Sequence, residues 1–137
     1  MTLTQTRMNR FTLLALTALG LVLLTPSARA EETTVTRNKQ TGTIDGKGGV
    51  VKIMGNQNTY TIKNASLVSV LGNQNALTLE GCTVLDVMGN KNTIKAGPAK
   101  TIKVMGNKNT ITFQPGPKGE KPTISNLGNG NRIDPAR

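Results

Sequence analysis

From Val50 onward the chain alternates apolar and polar residues in short bursts, and the bursts recur on a fixed period. Val51 and Ile53 are followed by Val68 and Val70, Leu85 and Val87, Ile102 and Val104, then Ile124 and Asn126. A second set reads Tyr60 and Ile62, Leu77 and Leu79, Ile94 and Ala96, Ile111 and Phe113, Ile133 and Pro135. Period-2 alternation over four to five residues predicts half-buried β-strands. Each repeat therefore holds two, the first near Val50 to Met54 and the second near Thr59 to Ile62.

Between the two strands stands Gly-Asn-x-Asn, in five copies starting at Gly55, Gly72, Gly89, Gly106 and Gly128. The first four starts are 17 residues apart and the last follows after 22. A fixed short period means a stack of equivalent units. The residue before each glycine is Met54, Leu71, Met88, Met105 or Leu127. It directly follows an inward position, so the expectation is that both point inward and the chain bends there. Glycine supplies backbone angles closed to other residues, and Asn tolerates the left-handed region.

Two architectures can use such a unit: a parallel β-solenoid with one coil per repeat, or an antiparallel array of hairpins. A hairpin loop needs one or two permissive residues and has no use for two Asn in every copy. In a solenoid each Asn lies about 4.8 Å from its counterpart, and stacked amides hydrogen-bond along the rod. The all-β parallel solenoid is the favoured fold. Its structural ladders are Asn56, Asn73, Asn90, Asn107 and Asn129, and Asn58, Asn75, Asn92, Asn109 and Asn131.

Residues 31–49 contain Arg37-Asn38-Lys39-Gln40-Thr41-Gly42-Thr43-Ile44, a degenerate echo of the repeat, and read as an N-terminal capping coil. Residues 50–137 form the repeat domain. Six coils make a rod on the order of 25–30 Å long. The polar stretch from Glu31 to Lys39 and the tail Asp134 to Arg137 are expected to protect the ends from edge pairing. Pro135 cannot donate to a ladder, which suits a last strand. The extra residues of the last repeat fall in Gln114 to Pro122, with three prolines and two glycines, so an inserted loop is expected at 114–122.

Ahead of the repeats, residues 1–30 read as a cleaved export signal: Arg7 and Arg10, an apolar run from Phe11 to Leu24, and Ala28-Arg29-Ala30. The apolar run is shorter than the roughly 20 residues of a membrane span. The expected mature chain starts near Glu31, in the periplasm or outside the cell, with no transmembrane segment. Of 17 basic residues three lie in the leader, leaving 14 against 7 acidic ones, a net +7. Such a charge suits an anionic surface, an envelope glycan or lipid headgroups, and also simple solubility. Nucleic acid is not an expected partner, since only Tyr60 and Phe113 are available to stack on bases. With no histidine, His-based triads and His-containing zinc sites are excluded. Cys82 is the single cysteine; it aligns with Ala65 and Ala99 and reads as a small packed side chain.

The repeat, as in Val104-Met105-Gly106-Asn107-Lys108-Asn109-Thr110-Ile111, resembles the bacterial domain-of-unknown-function family 3060. The resemblance spans roughly Val50 to Ile133. It implies a secreted or envelope-associated protein. No activity is established for that family, so the resemblance brings no functional residues.

No catalytic, cofactor-binding or metal-binding set is expected, and no cofactor. Polysaccharide lyases and hydrolases on parallel β-helices need grouped carboxylates or bases. Here only Glu31 and Glu32 adjoin, and Asp86 is expected to pair with Lys103 one coil away. Calcium-binding β-rolls use Asp in their turns, where this chain has neutral Asn. Two outward columns rich in Thr, through Thr59 and Thr61, resemble an ice-binding face, but Ala76 and Lys95 interrupt them and Thr favours strands in any case. A candidate anionic-ligand face is Lys91, Lys95 and Lys108. The functional reading is an exported, non-enzymatic solenoid serving as an envelope structural or binding module. The alternatives are a polysaccharide-active enzyme or accessory carbohydrate-binding protein, and an ice-binding-like Thr face.

Overall fold

The computed structural model describes residues 30–137, and the expected export signal lies outside them apart from Ala30. Twelve strands follow one another: β1 (Glu32–Val35), β2 (Thr41–Asp45), β3 (Val50–Met54), β4 (Thr59–Lys63), β5 (Leu67–Leu71), β6 (Ala76–Leu79), β7 (Val84–Met88), β8 (Thr93–Ala96), β9 (Thr101–Met105), β10 (Thr110–Phe113), β11 (Thr123–Leu127) and β12 (Arg132–Pro135). Odd-numbered strands form one six-stranded sheet in chain order, and even-numbered strands form the other. Every pairing is parallel, with Val51 beside Val68, Val68 beside Leu85 and Leu85 beside Ile102. The chain is thus a parallel β-solenoid of six two-strand coils, and the hairpin array is ruled out.

The sequence columns become stacks. Val51, Val68, Leu85 and Ile102 are fully buried, as are Ile53, Val70, Val87 and Val104 from the same sheet. Ile62, Leu77, Leu79, Ile94, Ala96, Ile111 and Phe113 close the core from the other sheet. β-Branched side chains suit these strands because two heavy atoms on Cβ fit the pleat and lose little freedom there. Each fully buried Val, Ile or Leu contributes about 1.5–3 kcal/mol of transfer energy. The core thins at the last coil, where Ile124, Asn126 and Pro135 of the inward columns are exposed because no coil lies above them.

Three expectations are corrected. The Met54–Leu127 column does not point inward. Alternation simply continues through the last strand position, so Met54 and Met105 stand 42 % and 45 % exposed on the outer face. The bend comes after the methionine, at the glycine. The segment from Glu31 to Lys39 does not lie over the rod's end as a polar cover: its residues Glu32–Val35 are the terminal strand, paired with β3. Asp86 is in register with Lys103, but the ion pairs found among the described residues are Lys47–Glu31, Lys52–Glu32, Lys63–Glu80 and Arg132–Asp134. Asp86–Lys103 is not among them. Residues 114–122 form a loop, closed by the Gly116 N–H donating to the Glu120 carbonyl (2.8 Å).

Candidate functional site: the asparagine corner

The turn from each odd strand to the next even one is built by Gly-Asn-x-Asn, with a separate task for each position. At Gly72, Gly89, Gly106 and Gly128, φ lies between 132° and 152°. A Cβ there would sit 1.9 Å from the carbonyl oxygen of the glycine one coil earlier. Only glycine lets successive corners approach this closely. The left-handed residue is not an Asn, as the sequence led us to expect, but x: Gln57, Gln74, Lys91 and Lys108 have φ of 57–60°, and Gly130 has 66°.

The asparagines form two ladders that run in opposite directions. In the outer ladder each backbone N–H donates to the Oδ1 one coil earlier: Asn73 to Asn56 (2.8 Å), Asn90 to Asn73 (2.9 Å), Asn107 to Asn90 (2.9 Å) and Asn129 to Asn107 (2.9 Å). The side-chain Nδ2 of Asn73, Asn90 and Asn107 donates to the same oxygens at 3.0–3.2 Å. In the inner ladder the N–H donates forward: Asn58 to Asn75, Asn75 to Asn92 and Asn92 to Asn109 at 3.0 Å each, and Asn109 to Asn131 (2.9 Å). Inner amides also donate to glycine carbonyls, Asn75 to Gly55, Asn92 to Gly72 and Asn109 to Gly89, each at 2.9 Å. Asn58, Asn75, Asn92 and Asn109 are buried, while Asn56, Asn73, Asn90, Asn107 and Asn129 are exposed.

The ladders end unevenly. Asn131 Nδ2 donates to Gly106 O and to Asn126 Oδ1, which places the polar residue of the last coil's inward column in the hydrogen-bond scheme. At the other end Gln40 replaces the inner Asn, and its N–H donates to Asn58 Oδ1 (2.9 Å). The Asn58 Nδ2 is buried without a partner.

Along this corner runs an open groove of about 760 Å³, lined by Asn73, Gln74, Asn90, Lys91, Asn107, Lys108, Asn129 and Gly130. Its walls are amides and two ammonium groups, with no carboxylate. Of the candidate basic face, the fold brings Lys91 and Lys108 together in consecutive coils, on the same corner position. Lys95 does not join them: it projects from the middle of β8 on the outer face of the even sheet, in register with Thr78 and Thr112. The sequence assigned the first Asn of each copy to structure alone. These residues also form the groove wall, because their column is exposed while their ladder bonds use only part of each amide.

The remaining polar groups are dispersed. Among the described residues no three His, Cys, Asp or Glu side chains group as a metal site. Asp45 accepts from the Lys47 N–H (3.0 Å) and Asn64 Nδ2 (3.2 Å), which hold its carboxyl below the ordinary 3.8. Lys63 is raised by its hydrogen bond to Glu80, and Arg132 by its bond to Asp134. Cys82 packs half-buried against the core beside the column of Ala65 and Ala99, and burial pushes its thiol up to about 11. The Thr columns through Thr59 and Thr61 lie outward on the even sheet as the alternation requires. No helix among the described residues is long and apolar enough to cross a membrane.

Neither the curated proteins nor the solved structures yielded a match to this chain. The middle of the rod, residues 70–130, matches the family described as "Protein of unknown function (DUF3060)", the family its Gly-Asn-x-Asn repeat resembles.

Proposed function

We propose that this protein is an exported, non-enzymatic binding module of the cell envelope, and that its corner groove holds an extended anionic polymer. The observation that carries the reading is the groove itself: one amide per coil at a fixed spacing, with Lys91 and Lys108 stacked in the middle. A ligand that repeats along its length can meet equivalent donors coil after coil. The exposed Nδ2 of Asn73, Asn90 and Asn107 each has two protons and the ladder uses one, so the other can donate to a hydroxyl, carboxylate or phosphate oxygen. The lysines add attraction for negative charge that salt screens, since the Debye length falls from about 10 Å at 0.1 M to about 3 Å at 1 M. A lining of amides and amines without carboxylates favours holding a glycan over cleaving it, because glycoside hydrolysis uses a carboxyl pair. The leader-like N-terminus and the net positive charge of the remaining chain support export and an anionic envelope partner.

The repeat supplies its own control. Gln57 and Gln74 occupy the same left-handed corner position as Lys91 and Lys108. Lys91→Gln with Lys108→Gln therefore removes two charges without asking for a new backbone. Calorimetric titration with a polyuronate and with poly(glycerol phosphate) should show salt-sensitive binding that the double variant loses, with unchanged circular dichroism. Binding to phosphatidylglycerol-containing vesicles but to neither polymer would move the ligand to a lipid headgroup. Equal binding by wild type and double variant would refute the groove reading.

A further inference from the structure

The two outer faces of the rod share one backbone geometry but not one chemistry. Outward positions of the even sheet carry Thr, Lys, Arg and Asp, with Ala76 the one apolar residue, as a solvated face should. The odd sheet instead presents two apolar columns. One is the column Met54, Leu71, Met88 and Met105, with Met54 42 % and Met105 45 % exposed and Leu71 and Met88 half-buried, and the other runs through Val50, Leu67 and Val84, between Glu32 and Thr101. Contiguous apolar surface of this kind marks an interaction site more often than a free surface.

Between the apolar columns runs a central column of Lys52, Ser69, Asp86, Lys103 and Ser125. Lys52 lies on one side of Ser69 and Asp86 on the other, one coil away in each direction. Lys52 reaches Glu32 (2.9 Å), and Asp86 takes part in none of the ion pairs found.

We infer that the outer face of the odd sheet binds a second copy of this chain, rods antiparallel, about a two-fold axis that runs along β5. Rotation about the strand direction keeps each column facing its own counterpart and reverses the order of coils. With the axis at Ser69, Lys52 of each copy faces Asp86 of the other. In the same arrangement Leu67 and Leu71 meet their own copies, Val50 meets Val84 and Met54 meets Met88. The other two-fold arrangement, with the axis along the rod, sets Lys52 on Lys52, Asp86 on Asp86 and Lys103 on Lys103. Like charges so placed cost several kcal/mol, which selects the antiparallel form.

The footprint is adequate. Five overlapping strands at about 4.8 Å spacing, each about 16 Å long, give a flat area of roughly 400 Å² per copy. Side-chain relief raises this, so the total over two copies falls around 1,000 Å², the size of weak, transient interfaces. The result is a reversible, concentration-dependent dimer with the asparagine grooves left open on both rods.

Sedimentation velocity on the purified protein, from micromolar to high-micromolar concentration, tests the pairing. The wild type should pass from monomer to dimer across that range. Leu71→Glu puts two carboxylates against each other at the axis and should hold the protein monomeric. Asp86→Lys alone should weaken the dimer by roughly tenfold or more, and adding Lys52→Glu to it should restore the dimer by exchanging the two charges. Circular dichroism of each variant verifies the rod. Wild-type protein that stays monomeric overturns the inference, as does a dimer indifferent to Leu71→Glu. A charge exchange that fails to restore association refutes the assigned pairing.

Discussion

Asn75, Asn92 and Asn109 of the inner ladder each make one contact per coil more than an outer asparagine, the Nδ2 bond to a glycine carbonyl, and the two ladders stand in different solvent, so their energies should differ accordingly. Consider Asn92→Ala. Asn92 is fully buried, its Oδ1 accepts from the Asn75 N–H and Nδ2, and its Nδ2 donates to Gly72 O and Asn109 Oδ1. After truncation Asn75 Nδ2 still has Gly55 O, and Asn109 Oδ1 still has the Asn92 N–H. Two groups are left with nothing: the buried Asn75 N–H and the half-buried Gly72 carbonyl. At about 1–3 kcal/mol for a buried orphan and less for the half-buried carbonyl, the loss is roughly 2–5 kcal/mol. That is a large part of the roughly 5–15 kcal/mol typical of a folded domain.

Asn90→Ala removes comparable bonds one position away on an exposed column, where water takes over, so it should cost about 0.5–1.5 kcal/mol. Asn58→Ala is a third point on the scale. Its Nδ2 has no partner to lose and its Oδ1 serves only the Gln40 N–H, so it should fall below Asn92→Ala. Urea denaturation followed by circular dichroism gives the ranking. Hydrogen exchange at the Asn75 amide reads the predicted orphan directly, which matters because a solenoid can open coil by coil. If Asn92→Ala and Asn90→Ala lie within experimental error of each other, burial does not set the strength of the ladder bonds and the two columns are equivalent.

Two further substitutions and one labelling experiment probe other parts of the fold. Gly89→Ala should be severely destabilising, since it adds the roughly 1–3 kcal/mol of a strained backbone to a 1.9 Å approach to Gly72 O. Gly81→Ala should be nearly neutral, because its added Cβ meets nothing closer than Pro98 O at 3.5 Å, and thermal melts of the pair separate the two cases. Cys82, raised to about 11 by burial, should react with a disulfide reagent at pH 8 about ten- to a hundredfold more slowly in the native rod than in urea. The sign follows from linkage: a thiol raised in the folded state contributes its full stability below the unfolded value near 9.0, and loses it as pH rises towards 11. Equal labelling rates in the two states would place Cys82 in solvent.

The register of the whole solenoid was legible because the 17-residue period and the period-2 columns point to the same stack, and a one-residue slip would turn every Val and Ile outward. The site was legible only in part. The stacked asparagines followed from their repetition, but nothing in the repetition distinguishes the exposed column through Asn90 from the buried one through Asn92. That difference comes from where the chain turns, which depends on the left-handed residue between them. The orientation of the Met54–Leu127 column is not legible in the sequence, because an apolar residue next to an inward one invites a bend, whereas the strand simply runs one residue further. Asp86 and Lys103 were correctly adjacent in register, yet register fixes Cα positions and leaves long side chains free to point elsewhere.

The corner also explains why charge can vary along the rod without harm to the fold. Three of its four positions are fixed by the stack: glycine by the close approach of carbonyls, and the two asparagines by ladders that must continue from coil to coil. The residue x has one requirement, a left-handed backbone, and its side chain points to solvent. Gln57, Gln74, Lys91, Lys108 and Gly130 all meet it, with φ between 57° and 66°. The cost of that conformation, about 1–2 kcal/mol for a residue other than glycine, is nearly the same for Gln and Lys. Exchanging one for the other therefore changes the field in the groove and little else. A rod built this way separates the residues that hold it from the residue that sets its charge. Substituting Lys for Gln57 and Gln74 should extend the basic groove by two coils at almost constant stability, and should strengthen retention of an anionic polymer and steepen its salt dependence. A variant that melts like wild type but binds no more tightly would show that the lysines at this corner are only a solvated edge.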